Sequence, residues 1–160
     1  MIRSYRQEEF ARVLAVINDG AEAYRGVIPS DQWHEPYMSP EVLSTEFAAG
    51  VAFCVFDEEG RISGVMGAQP VKDVLLIRHA YVETEAQRQG VGGALIADLL
   101  SRATSPVLVG TWAAAAWAVG FYRKHGFERV MDEDNNRLLQ TYWSIPDRQI
   151  ETSVVLRLVS

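Results

Sequence analysis

The sequence predicts an α/β protein: one mixed, mostly antiparallel sheet with helices on both faces, in a single domain over residues 1–160. Three observations carry this. With 160 residues, 48% of them hydrophobic, the chain is long enough for one real core and is not disordered in composition. Between Val51 and Val82, three extended segments follow one another at hairpin spacing. After Val82 helices and strands alternate, which brings parallel pairing into the sheet and sets helices on its faces.

Taken in order, Ile2–Tyr5 reads as a short strand. Gln7–Tyr24 reads as a helix, because Phe10, Val13, Leu14 and Ile17 recur at helical spacing, with Gly20 as a possible break. Gly26–Ser39 is irregular and holds Pro29, Pro36 and a cluster of Trp33, His34, Glu35 and Tyr37. Ser39-Pro40-Glu41 starts a helix, with Ser39 as N-cap and Pro40 in the first turn, ending near Gly50. Val51–Phe56 and Ile62–Val71 form a hairpin about Asp57–Gly60, and Val74–Val82 follows as the next strand. A helix from Gly90 to Ala103 buries Leu95, Ile96, Leu99 and Leu100. Pro106–Thr111 is a buried strand, and Ala113–His125 a helix closed by Gly126. Phe127–Met131 is a strand, Asp132–Tyr142 a short helix, and Ile150–Leu158 the last strand.

Charge and cysteine content narrow the function classes. A net charge of -6 argues against non-specific nucleic-acid binding, which needs clustered Lys and Arg. Cys54 is the only cysteine, so an intrachain disulfide and a two-cysteine zinc clip are both excluded. No apolar run reaches a membrane-spanning length, and MIRSYRQEEF lacks the apolar core of a signal peptide. The expectation is a cytoplasmic protein with no membrane partner and no metal.

The chain is organised around Leu75–Ala103. There a strand feeds the turn Gln87-Arg88-Gln89-Gly90-Val91-Gly92-Gly93 and then a helix. The first-turn amides of a helix lack internal partners, and the helix dipole favours negative charge beside them. Glycines let an anion approach that backbone. The turn has no Gly-Lys-Ser/Thr, and Leu95 stands where a dinucleotide fingerprint needs its third glycine, so a nucleotide-binding domain is disfavoured.

Two motifs, Gln87-Arg88-Gln89-Gly90-Val91-Gly92 and Phe121-Tyr122-Arg123-Lys124-His125-Gly126-Phe127, lie on successive helices. In that order the chain resembles the GNAT superfamily of acetyl-CoA-dependent N-acetyltransferases from Ile2 to Leu158. The resemblance implies a sheet splayed between the fourth and fifth strands, with acetyl-CoA in the gap. It implies that backbone at Tyr81 and Val82 pairs with the pantetheine arm, and that the turn from Gln87 to Gly93 holds the pyrophosphate. Many relatives carry an Asn where this chain has Ala115, so that contact is missing or replaced.

Acetyl transfer to an amine needs a base for the amine and an acid for the leaving thiolate. Tyr122 is the candidate acid, since a phenol is protonated at neutral pH; the alternative is a core aromatic beside Phe121. His79 and Glu83 are candidate bases on the central strand, against a structural histidine and a solvated carboxylate. Period two puts His79 on the face of Tyr81 and Glu83, with Arg78 opposite unless a bulge intervenes. Trp33, His34, Glu35 and Tyr37 are candidates for the acceptor side, with Glu35 pairing a cationic amine; alternatively Trp33 and Tyr37 pin the loop. Trp117 is expected to pack, while Tyr142 and Trp143 are candidates to close the pocket's other side. The expected activity is N-acetyl transfer from acetyl-CoA to a small-molecule or peptide amine, the alternative an acyl-CoA-binding module without turnover. Pairing into a homodimer through the last strand is a family arrangement.

Overall fold

The computed structural model describes residues 1–159. Seven strands form one mixed sheet: β1 (Ile2–Ser4), β2 (Ala52–Glu58), β3 (Arg61–Val71), β4 (Val74–Val82), β5 (Val107–Trp112), β6 (Phe127–Arg129) and β7 (Ser153–Leu158). Their order is β1-β2-β3-β4-β5-β7-β6. Only β4 and β5 pair in parallel. The helices are α1 (Phe10–Ala21), α2 (Pro40–Ala48), α3 (Val91–Arg102), α4 (Ala116–Lys124), α5 (Asp132–Tyr142) and α6 (Asp147–Glu151).

Each face of the sheet has its own core, as the alternation along β4 requires. Ile77 packs with Val91, Leu95, Ile96 and Tyr122 under α3 and α4. Val74 and Leu76 point the other way, to Leu138 and Leu139 of α5. On that same side Val13, Val16 and Ile17 of α1 and Leu43 of α2 cover Phe53, Val55 and Val65. Ser39 caps α2 as predicted, its hydroxyl accepting from the Val42 amide at 3.1 Å.

Four expectations are corrected. Gly20 does not break α1 but lies inside it, facing β4. A Cβ there would sit 3.0 Å from both Tyr81 Cβ and the Val82 carbonyl, so the missing side chain lets helix and strand touch. The helix expected from Ala113 starts at Ala116. Ala113 instead donates to the Thr152 carbonyl, and Ala115 is buried beside Ile28 and Trp112. Ile150 lies in α6, and β7 begins only at Ser153. Pro146 opens that short helix, which stops where the Thr152 hydroxyl bonds the Arg148 and Gln149 carbonyls. The strand expected to reach Met131 ends at Arg129, after which α5 starts.

At the start of the chain Arg3 bonds Glu9 at 2.6 and 3.0 Å, and Asp57 at 3.0 Å. Arg3 holds the Glu9 carboxyl down to about 2 from an ordinary 4.5. A depressed carboxylate stabilises the fold fully above its unfolded value and stops doing so as pH falls through its folded one. The urea midpoint is therefore expected to fall as pH drops from 4.5 towards 2. Glu9→Gln should be less stable at neutral pH and should flatten that slope; identical slopes in the two proteins would show that the pair contributes nothing.

Candidate active site

β4 and β5 pair only at Leu75–Val107, Leu76–Leu108 and Ile77–Val109. Beyond Ile77 the strands part: β5 continues with β7, and β4 stays with β3. A bulge marks the parting point. Val65 pairs with Tyr81 and Gly67 with Arg78, so His79 and Ala80 together face Met66. His79 takes a left-handed φ of 57°, a conformation costly for a residue with a Cβ. The extra residue overturns the Arg78 part of the period-two reading, under the exception that reading named, and leaves His79 and Tyr81 on one side. Arg78 is not opposite His79; both side chains reach Glu46 on α2, and Tyr81 follows on the same side.

The gap opens into two cavities. A cleft of about 720 Å³ lies on the α3/α4 side and a pocket of about 120 Å³ on the side of α5 and α6. They share Tyr24, Ile77, His79, Tyr81, Gly110 and Thr111, which form a throat between them. Among the described residues no Asp or Glu lines either cavity, although the chain carries a net charge of -6.

The glycine-rich turn forms one end of the cleft. Arg88 has φ 65° and Gly90 φ 83°, and together they turn the chain into α3. The first bond into the helix runs from the Ala94 amide to the Gly90 carbonyl. The amides of Val91, Gly92 and Gly93 precede it, with no side-chain cap and no acidic residue in the first turn. Arg88, Lys124 and His125 line the same cleft, so among the described residues the turn's side carries basic side chains and no acidic one. Burial, then Lys124, pushes the His125 pKa down. This combination of free amides, a helix N-terminus and basic side chains suits a polyanion. Tyr81, Val82, Gln87, Arg88, Gly90, Val91, Gly92 and Gly93 all line the cleft. Gln89 does not; its side chain turns back to the Glu85 carbonyl at 3.3 Å.

Tyr122 is 6% exposed and projects from α4 into the cleft wall, edge-on to Phe121 and Phe127. Among the described residues its hydroxyl has no hydrogen-bond partner, and burial pushes its pKa well up, so it stays protonated. At the throat burial likewise raises Tyr81 and pushes Tyr24 up to about 12, and in the pocket beside it burial raises Tyr37. Trp112 Nε1 donates to the Tyr37 hydroxyl at 3.0 Å.

The remaining candidates scatter. Glu83 is 4% exposed and lines neither cavity. Its two oxygens accept from Arg12 of α1 and Arg61 of β3, each at 2.7 Å, so it is not a solvated carboxylate but a clamp between α1 and β3. Of the loop cluster only Tyr37 lines the pocket. Trp33 packs on Tyr37 and carries the Arg25 guanidinium on its face at 4.6 Å. His34 and Glu35 are exposed. Glu35 is held by Arg25 at 2.8 Å, with Trp33 Nε1 at 3.2 Å, and is no free partner for an amine.

Other residues gain a place. Trp143 stacks over Gly110 and lines the pocket, while the Tyr142 hydroxyl leaves it to donate to Asp73. Trp117 is not core packing: it is 48% exposed, stacks on Tyr24 and lines the cleft. Ala115 is buried and lines neither cavity. Sequence reasoning gave no role to Tyr24, Gly110, Thr111 or Gln149. They come from three separate segments, and only the throat and pocket bring them together.

Known proteins can be set beside this geometry. A family model described as an acetyltransferase (GNAT) domain matches residues 3–140. Human (Homo sapiens) N-acetyltransferase 8 is 31% identical over 91 residues, spanning 51% of this chain. The match reaches only 40% of that protein's length. Two solved structures share the fold. The PaiA N-acetyltransferase of Thermoplasma acidophilum in complex with coenzyme A has a TM-score of 0.72 at 13% identity, covering 100% of this chain and 98% of that one. A GNAT family acetyltransferase from Elizabethkingia anophelis with acetyl-CoA bound has a TM-score of 0.65 at 19% identity, covering 100% and 97%.

Proposed function

The chain belongs to the acetyltransferase (GNAT) family, and we propose that it transfers the acetyl group of acetyl-CoA to a small α-amine by direct attack. The observation that carries this is the pair of carboxylate-free cavities meeting at His79 and the tyrosine throat. The large cleft is the acetyl-CoA side. Its amides at Val91–Gly93, with Arg88 and Lys124, meet the pyrophosphate, and backbone at Tyr81 and Val82 meets the pantetheine arm. The acetyl-CoA-bound fold relative supports that direction. The small pocket is the acceptor side.

In the reaction the amine nitrogen forms a bond to the thioester carbonyl carbon and the carbon–sulfur bond breaks. The amine proton passes to His79, and the departing sulfur takes a proton from the Tyr122 hydroxyl. Glu83, held by two guanidiniums, takes no part.

The pocket lining also selects the amine. An amine attacks only when neutral, and among the described residues nothing anionic lines the pocket to hold an ammonium and Arg78 is its one permanent charge. A peptide α-amine, with a pKa of about 8, is roughly 200-fold more often neutral at pH 7 than a lysine-like amine of pKa about 10.4. A thiol-release assay at pH 7 is expected to give α-amino compounds at least a tenfold larger kcat/KM than spermidine or an α-blocked lysine. A preference for the polyamine would sink the acceptor assignment. Bound acetyl-CoA with no thiol released by any amine would leave a binding module instead.

A further inference from the structure

His79 is held in an unusual way. Its ring lies between the two cavities and stacks on Phe53 at 6.2 Å. Nε2 is sealed from solvent, has no aligned hydrogen-bond partner, and sits 3.3 Å from Glu46 Oε2. Nδ1 bonds no protein group among the described residues and is not among the sealed atoms, so it is the nitrogen open to the cavities. The left-handed backbone at the bulge is what turns His79 to the side of α2.

Glu46 is suited to govern that ring. It stands near the end of α2, its side chain 17% exposed, with Arg78 at 3.4 Å as its other partner. Contact with His79, and then the charge of Arg78, keeps its carboxyl below the ordinary range, so it is ionised at neutral pH. The charged and titratable groups around His79 are Glu46 from α2, Arg78 and Tyr81 from β4, the Tyr24 phenol in the shared wall and the Tyr37 phenol in the smaller pocket. Glu46 is the only anion among them.

We propose that Glu46 is a positioning residue: its carboxylate draws the proton of neutral His79 onto Nε2, leaving the Nδ1 lone pair facing the acceptor amine. This rests on the reading of His79 as the base. The step balances: Nδ1 takes the amine proton as the carbon–nitrogen bond forms, and Glu46 stays ionised beside the resulting imidazolium. A carboxylate in this place both fixes the tautomer and stabilises the cation.

The test has a readout that needs no turnover. Long-range 1H–15N spectra of the folded protein, titrated with pH, should show neutral His79 protonated at Nε2. In Glu46→Gln the tautomers should mix, because the charge that drew the proton to Nε2 is gone. kcat should fall tenfold or more with it. Glu46→Asp, which keeps the charge one methylene further back, should restore part of the Nε2 tautomer and part of kcat. It also serves if the Gln variant fails to fold. A wild-type His79 protonated at Nδ1, or a Gln variant with an unchanged tautomer, would overturn the proposal. Acetyl transfer through an Nδ1-protonated ring would defeat it alone. A correct tautomer without acetyl transfer would defeat the functional reading alone.

Discussion

Tyr122→Phe is expected to lower kcat by about a hundredfold, within the range typical of a lost general acid, while acetyl-CoA binds within about twofold of wild type. The substitution removes one oxygen and keeps the ring. That ring stays edge-on to Phe121 at 5.2 Å and to Phe127 at 5.6 Å, so packing between α4 and β6 is preserved. The hydroxyl has no protein partner to leave stranded, so stability should hardly change. The burial that raises its pKa makes a second signature. An acid works while protonated, so wild-type kcat should not decline on its account below pH 10, the ordinary phenol value. Stopped-flow thiol release and calorimetry with acetyl-CoA measure the two quantities. An unchanged kcat would reduce Tyr122 to a core aromatic.

Glu83→Ala is expected to do the reverse: destabilise the fold and leave the chemistry nearly intact. Two bonds of 2.7 Å to guanidiniums join α1 and β3 through this one buried carboxylate. Bonds to charged groups contribute about 1.5–3 kcal/mol each when buried. Arg12 and Arg61 are 36% and 61% exposed, so water recovers part of the loss when the carboxylate goes. A net cost of about 2 kcal/mol, or a fall in Tm of roughly 4–8 °C, follows for a chain of this size. kcat at 20 °C should stay within about threefold of wild type. A kcat loss comparable to that of Tyr122→Phe, at unchanged Tm, would return Glu83 to the chemistry.

These two residues show what was legible in the sequence. The strand run, the glycine turn and the helix carrying Tyr122 were all readable. Each is a local pattern of spacing and turn chemistry that the tertiary fold did not override. The glycine-rich end of the large cleft followed from the same continuity, since Gln87–Gly93 is one stretch of chain. The lining of the small pocket did not. Glu83 was a candidate base because it ends β4, and its two arginine partners lie 71 and 22 residues away in sequence. Glu35 was a candidate amine partner, yet the nearby Arg25 claims it. Glu46 carries no reading of its own in the stretch that forms α2, and Tyr24 only marks the end of the expected first helix. Their roles depend on contacts that no periodicity encodes. The bulge mattered most, because a single inserted residue is invisible to a period-two reading and reverses the side on which every later residue falls.

That bulge makes β4 a strand whose length matters apart from its composition. Counting from Ile77, the last residue paired with β5, the one surplus position turns Tyr81 to the throat and leaves Val82 under α3. Deleting one residue between Ile77 and Tyr81 would exchange those two sides, and would let β4 run in step with β3 past the point where it now leaves β5. Substitutions along this segment trade one side chain for another; a change of length by one trades one cavity's wall for the other's. The segment therefore behaves as a spacer of fixed count, and the number of residues from Ile77 to Glu83 is as much a part of the site as any side chain in it.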